Sequence, residues 1–351
     1  MKSQLLIPVL FSFALIACAD KQNEPPVDGG LTIKVDVNAK SALKFENMIS
    51  MEMLHLEMSE EYPLGHISKL IVSGQYMYIL DIQYTKAIFI YDRYTGKLKQ
   101  VIRKLGNGPG EYAYAKTFDL QADGSGLMIL DGMRILRYDS IGNFISDIDF
   151  KDYINRFILS KDNRIVLDRG NGNKGDAPYK YIGIADMEGK IEQEMLPRPD
   201  YVKGITITPY NPLQKYVGDT ILYMPSVSNR IYQIADGKIQ QRYLLDYGVH
   251  WPNEDFLDKQ PDVIQALSEM SRKDYVLFPQ YLETPEVLHL NYQYNGKLYS
   301  FYYNKRTKQS VFVDDKAVGL PAPIATIGNS FVSTIFGEES TILVIFNLQW
   351  P

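Results

Sequence analysis

A unit of about 47 residues recurs along this chain, and that period limits the fold more than any other feature. The stretches AIFIYDRYTGKLKQVI from Ala87, RILRYDSIGNFISDI from Arg134, YIGIADMEGKIEQEM from Tyr181 and RIYQIADGKIQQRYL from Arg230 share one pattern. Each alternates apolar and polar residues up to an Asp, meets a Gly within four residues and then resumes the alternation. Alternation with period two sends successive side chains to opposite faces of a strand. Asp opens a tight turn by accepting from its amides, and Gly supplies the positive φ the turn needs. Each stretch therefore reads as a β-hairpin. The aspartates are Asp92, Asp139, Asp186 and Asp236, spaced by 47, 47 and 50 residues. LYSFYYNKRTKQSVFV from Leu298 is a fifth copy, with Asn304 in the Asp place 68 residues on.

A second strand pair precedes each of the first three hairpins: SKLIVSGQYMYILD from Ser68, KTFDLQADGSGLMILD from Lys116 and RFILSKDNRIVLD from Arg156. These end in Asp81, Asp131 and Asp168. Four strands in about 47 to 50 residues is the content and period of a propeller blade, whereas a β-sandwich domain needs about 100 residues. The chain has 351 residues, and from position 50 onward it holds about six such units. The predicted fold is thus all-β, a six-bladed β-propeller of four-stranded antiparallel blades. The last blade, ending in TILVIFNL (Thr341 to Leu348), lacks an outer strand in sequence order, so ISMEMLHLEM (Ile49 to Met58) is expected to supply it and close the ring. One small helical insertion interrupts the array near residues 253–275, where Val263, Ile264, Leu267 and Met270 share a predicted helix face.

The N-terminus reads as a targeting segment. Leu5 to Ala17 is an apolar run of 13 residues behind Lys2, well short of the roughly 20 that span a bilayer, so residues 1–17 read as a signal peptide. The run ends in LIAC, Leu15 to Cys18, which resembles a bacterial lipobox. That resemblance implies cleavage before Cys18 and lipidation of its thiol and amine. Several acyl chains hold far more firmly than one, since each buried methylene adds about 0.8 kcal/mol. Cys18 is the only cysteine, so a lipidated chain has neither a disulfide nor a thiolate site. Residues 18–30 read as lipidated cysteine and flexible tether, and residues 31–351 as the propeller. Ala19 after the cysteine points to the outer membrane, and Asp20 and Glu24 are a weak form of the acidic cluster that favours surface export. A net charge of −5 offers no basic field for nucleic acid.

With these features in place, the chain resembles the six-bladed β-propeller lipoproteins of Bacteroidetes, which are NHL-like in shape. The carrying residues are the lipobox at Cys18, GNGPGEY from Gly106 to Tyr112, and the ILD…RYDSIGNF pattern from Ile129 to Phe144. The resemblance implies fold and location and no established activity.

The glycine-rich stretch RKLGNGPGEY, residues 103–112, invites a nucleotide reading and fails it. Gly106 and Gly108 fit a dinucleotide fingerprint, but Glu111 stands where the third glycine belongs. No Lys-Ser or Lys-Thr follows Gly110, and the next residues are strand-like, with no helix N-terminus to hold a phosphate. In the blade scheme the stretch is a corner joining one outer strand to the next inner strand. Such corners share a face with the loops between second and third strands, here 81–86, 131–134 and 168–180. Gln83, Tyr84, Glu111, Tyr112, Asp131, Arg134, Asp168 and Arg169 are therefore the candidate ligand-binding residues around one channel mouth. A purely structural role for Asp81, Asp131 and Asp168, capping their strands by accepting from turn amides, is the competing reading.

Catalytic signatures are sparse. His55, His66, His250 and His289 match no metal-binding spacing, and no G-x-S-x-G elbow is present. Asp168 to Asp176 is oxygen-rich but departs from calcium-loop order, with Gly170 at position 3 and Tyr179 at position 12. The tyrosines of Asn291 to Arg306 suit packing between blades, with stacking on sugar rings the alternative. No cofactor or metal is expected. The expected function is a monomeric outer-membrane binding or scaffold module for a peptide, protein or glycan, touching the membrane only through its lipid. The alternative is a propeller lyase or hydrolase acting on glycan in the channel.

Overall fold

The computed structural model describes residues 29–38, 44–170, 180–202, 211–315, 319–337 and 340–351. The apolar run 5–17, Cys18 and most of the tether lie outside these residues, as does 171–179 of the oxygen-rich loop. Six antiparallel four-stranded sheets form the blades of a ring. The inner strands are Lys69–Ser73, Thr117–Leu120, Arg156–Leu159, Leu213–Lys215, Leu277–Glu283 and Ala325–Ile327. Each of the first five blades runs inner to outer in sequence order.

Apolar alternation explains why the sheets stack as blades. Six of the buried clusters each draw on two neighbouring blades. Ile88 and Ile90 of the first blade meet Phe118 and Ile129 of the second, and Val332 and Leu343 of the last meet Ile79 and Phe89 of the first. Such a side chain contributes about 1.5–3 kcal/mol on full burial. Polar groups tie the inner strands around the ring. Asp119 Oδ2 accepts from Leu159 N at 2.7 Å, and Gln214 exchanges two bonds with the Glu283 backbone at 2.7 and 2.9 Å.

The N-terminal segment joins two blades. Ile49–Leu56 pairs antiparallel with Thr341–Leu348 over its whole length, forming the outer strand of the sixth blade. Earlier, Leu31–Lys34 adds in parallel to Lys238–Asp246, making a fifth strand on the fourth blade. Ile33, Val35 and Val37 are buried between the fourth and fifth blades, and Phe45 and Met48 between the fifth and sixth.

The hairpin turns follow their chemistry, with one exception. Asp92, Asp139, Asp186 and Asn304 each accept two turn amides on one side-chain oxygen. Asp236 departs from the expected turn-opening role. It sits at φ +50° beside Gly237 at +67°, the two central residues of a two-residue turn between Ala235 and Lys238.

The insertion carries two helices, α1 (Glu254–Asp258) and α2 (Val263–Arg272), capped by Asn253 and Asp262. Its buried face is rotated from the predicted one. Val263, Ala266 and Met270 are buried, whereas Ile264 is 50% exposed. A short helix lying on Tyr201 and Leu277 needs only a narrow stripe, and small Ala266 lets it approach.

Candidate functional site

Strand direction places the corner, the loops between second and third strands, and the helical insertion at the same end of the ring. This end is the mouth. The corner itself is built around Glu111. Its carboxylate accepts from Gly108 N at 2.8 Å, and a Cβ on Gly106 would lie 1.9 Å from Oε2, so a larger residue there would displace the Glu111 carboxylate. Gly110 has φ +71°, and its carbonyl accepts from Tyr138 OH at 3.0 Å. Tyr112 lies wholly in the interior between the first two blades, with its hydroxyl donating to Lys86 O at 3.0 Å. Burial pushes its phenol up to about 12. This tyrosine faces the core rather than the mouth.

The repeated aspartates staple the mouth loops. Asp81 accepts from Gly65 N, His66 N, Gln83 N and Tyr84 N at 2.9–3.2 Å. Asp131 accepts from Ala113 N and Tyr114 N and pairs with Arg134 at 3.0 Å. Arg134 in turn donates to Glu111 O at 2.8 Å. Asp168 accepts from Asn155 Nδ2 at 2.6 Å, Gly170 N at 2.9 Å and Tyr223 OH at 3.1 Å, the last reaching into the fourth blade. Desolvation raises the Asp168 carboxyl above its usual range. Arg169 is buried between Asp152 at 2.8 Å and Glu194. Seven of the eight candidates thus gather at one end of the ring, but five of those seven are engaged in holding loops. Gln83 and Tyr84 face solvent, Tyr84 at 68% exposure with its ring over Gly65.

Two adjacent cavities that share wall residues lie behind this rim. The outer one, about 260 Å³, is lined by His66, Gln280, Pro323 and Phe336 among others. The inner one, about 230 Å³, touches inner strands of all six blades. Asn211, Leu282 and Ile324 line both, and Asn211 Nδ2 donates to Ile324 O at 3.3 Å. Apolar groups such as Leu70, Ile158, Leu213 and Ala325 make most of the inner wall.

The remaining wall is electropositive. Lys69 and Lys215 line the inner cavity with Asp119, and Arg156 acts on Lys69 from the third blade. Lys215 Nζ lies 2.8 Å from Asp119 Oδ2, and Asp119 also accepts from Leu120 N at 2.9 Å. Desolvation pulls the Lys69 ammonium down to about 8, with Asp119 opposing and Lys215 and Arg156 adding to the fall. Lys116, donating to Ile154 O at 3.3 Å and to the Tyr153 hydroxyl, is likewise pulled down to about 8 by burial and then Arg156. Sequence reasoning missed these groups. Their signal was a basic residue at or beside the start of the first three inner strands: Lys69, Lys116 and Arg156.

His66 and His289 both line the outer cavity, but the four histidines do not gather at one centre. His289 is buried, 3.1 Å from Ser300 Oγ, and burial drives its imidazole down to about 3. His250 lies at the insertion beside Tyr294. Among the described residues, no three His, Cys, Asp or Glu side chains group as metal ligands. Tyr292, Tyr294 and Tyr302 are buried, so this tyrosine-rich stretch packs between blades.

A family model described as a domain of unknown function, DUF4934, matches residues 31–347. Among solved structures the chain is similar to a candidate exported protein of Bacteroides fragilis, with a TM-score of 0.79 at 16% identity, covering 91% of this chain and 99% of that one. It is also similar to a DUF4221-family member from Bacteroides vulgatus, with a TM-score of 0.58 at 12% identity, covering 87% and 99%. At such identities the likeness is one of fold. No curated protein matches the chain.

Proposed function

The chain belongs to the DUF4934 family, and from that premise we propose that it is an exported binding or scaffold module that takes a peptide, protein or glycan at the channel mouth. The observation that carries this reading is the pair of adjacent cavities behind a rim of stapled loops. Rigid scaffolds presenting loops around a concavity are where binding is usually built. The mostly apolar inner wall supports binding over glycan cleavage. In this reading Gln83 and Tyr84 touch the ligand, while Glu111, Asp131, Arg134, Asp168 and Arg169 hold the loops that frame it. The address belongs to the same proposal. Cys18 carries the lipid, residues 18–30 are the tether, and the protein sits as a monomer at the outer membrane. The candidate exported protein of Bacteroides fragilis, sharing the fold, supports export.

The test is a thermal-shift screen of residues 31–351, which hold every described strand, against peptides and glycans. A ligand that binds only the folded state adds about 2.7 kcal/mol at a hundredfold excess over its Kd. A hit that weakens in Tyr84→Ala is expected. Silence across the panel, or a hit indifferent to the rim, would refute the reading.

A further inference from the structure

The inner cavity presents an ammonium without a matching acceptor. Lys69 brings three donors to the ring's interior, yet its one hydrogen-bond contact among the described residues is Thr117 Oγ1 at 3.5 Å, the outer limit for such a bond. The Phe118 ring centroid lies 5.7 Å from Nζ, a weak additional attraction. Asp119 is the nearby carboxylate, but it is already held by Leu159 N, Leu120 N and Lys215 Nζ. Lys69 and Lys215 thus act on one satisfied anion, an arrangement that disfavours the charged Lys69 ammonium until another anion enters.

Resting on the binding-module reading above, we propose that the inner cavity holds a carboxylate attached to a short aliphatic body, its oxygens on Lys69 and Lys215 and its body against Leu213, Leu282 and Ile324. The volume of about 230 Å³ sets the size. That is below the range of drug-sized sites, which suits a short body rather than an extended one. Apolar neighbours on several inner strands select an aliphatic body over a bare inorganic anion. The chemistry has two sources: a free short-chain acid, or the C-terminal residue of a peptide whose chain runs out towards the adjacent outer cavity.

Protonation is linked to this binding. A bound carboxylate raises the Lys69 pKa from about 8, so binding takes up a proton above that pH. The groups facing Lys69 are Asp119, Lys215 and Arg156, and Lys116 beyond Arg156 titrates in the same range. Affinity is therefore expected to fall about tenfold from pH 7 to pH 9 through Lys69 alone, and further if Lys116 contributes.

The experiment is titration of the full-length protein with isovalerate, with a tripeptide ending in a free valine carboxylate, with the same tripeptide amidated, and with chloride. Saturable binding of isovalerate or of the free-acid tripeptide is expected, weakened at least tenfold in Lys69→Met and by pH 9. Isovalerate binding identifies the free acid as the source, and binding of the free-acid peptide alone identifies the peptide terminus. Equal binding of the amidated peptide, an equal response to chloride, unchanged affinity in Lys69→Met, a flat pH profile or silence from both acids would each overturn the proposal. Should Lys69→Met fail to fold, the wild-type pH profile decides alone. A rim-dependent hit in the wider screen with silent carboxylates removes only this inference, whereas silence in both removes the binding reading too.

Discussion

Asp81 shows how much of this fold rests on single side chains. Four backbone N–H groups from two loops converge on its carboxylate, and the residue is fully buried. Truncation leaves those donors to whatever solvent reaches them, at about 1–3 kcal/mol for each one that stays buried. Asp81→Ala is expected to cost about 2–4 kcal/mol in chemical denaturation and to loosen the loop bearing Tyr84. A loss under about 0.5 kcal/mol, the range of ordinary surface changes, would show the staple to be dispensable. His289 gives a pH signature. Its folded pKa is depressed to about 3 from 6.5, so the unfolded chain takes up a proton that the folded state refuses. Its contribution is intact above pH 6.5 and is lost as pH falls through that window, at about 1.4 kcal/mol per unit. In His289→Gln the stability difference between pH 7 and pH 5 should shrink by about 2 kcal/mol, and an unchanged difference would mean the imidazole is protonated in the fold.

Among elements, the two N-terminal strands differ in what announces them. Ile49–Leu56 was legible because the sixth blade ran out of chain one strand short, and topology required a donor. Deleting residues 49–58 removes the outer strand of that blade and exposes a paired edge. The melting temperature should drop by about 10 °C or more, or the single transition should split, and an unaltered melt would refute the closure. Leu31–Lys34 gave no such cue: it lay within the residues assigned to the propeller, but no unit of the repeat called for a further strand there. Its pairing partner is 212 residues away, and only the assembled fourth blade offers the edge it joins. Ile33→Ala should cost about 2–4 kcal/mol if that parallel strand is anchored through its buried side chain. A cost near zero in thermal or chemical melts would show the strand to be peripheral. The helical insertion lies between these cases. Its period was readable, but the direction it faces was set by Tyr201 and Leu277 from elsewhere in the chain.

At the scale of the whole molecule, the proposed lipid address makes its own prediction: Cys18→Ala should move the protein from the membrane fraction to the soluble one, and continued membrane association would refute lipid anchoring. Repetition is why the ring was visible in the sequence. Period-two alternation, Asp and Gly at the hairpin turns and a spacing near 47 residues are local signals, and six such units have a ring as their natural closure. The mouth-facing loops were legible for the same reason, because strand parity fixes which loops share an end. Which side chains at that end are free was a tertiary matter. Tyr112 was turned into the core, and Asp81, Asp131 and Asp168 were claimed by amides that lie 13 or more residues away or in their own turns. The electropositive inner wall also belongs to the assembled ring. Lys69, Asp119, Arg156 and Lys215 sit on four different blades, and electrostatic coupling depends on distance and desolvation, neither of which exists until the inner strands stand side by side.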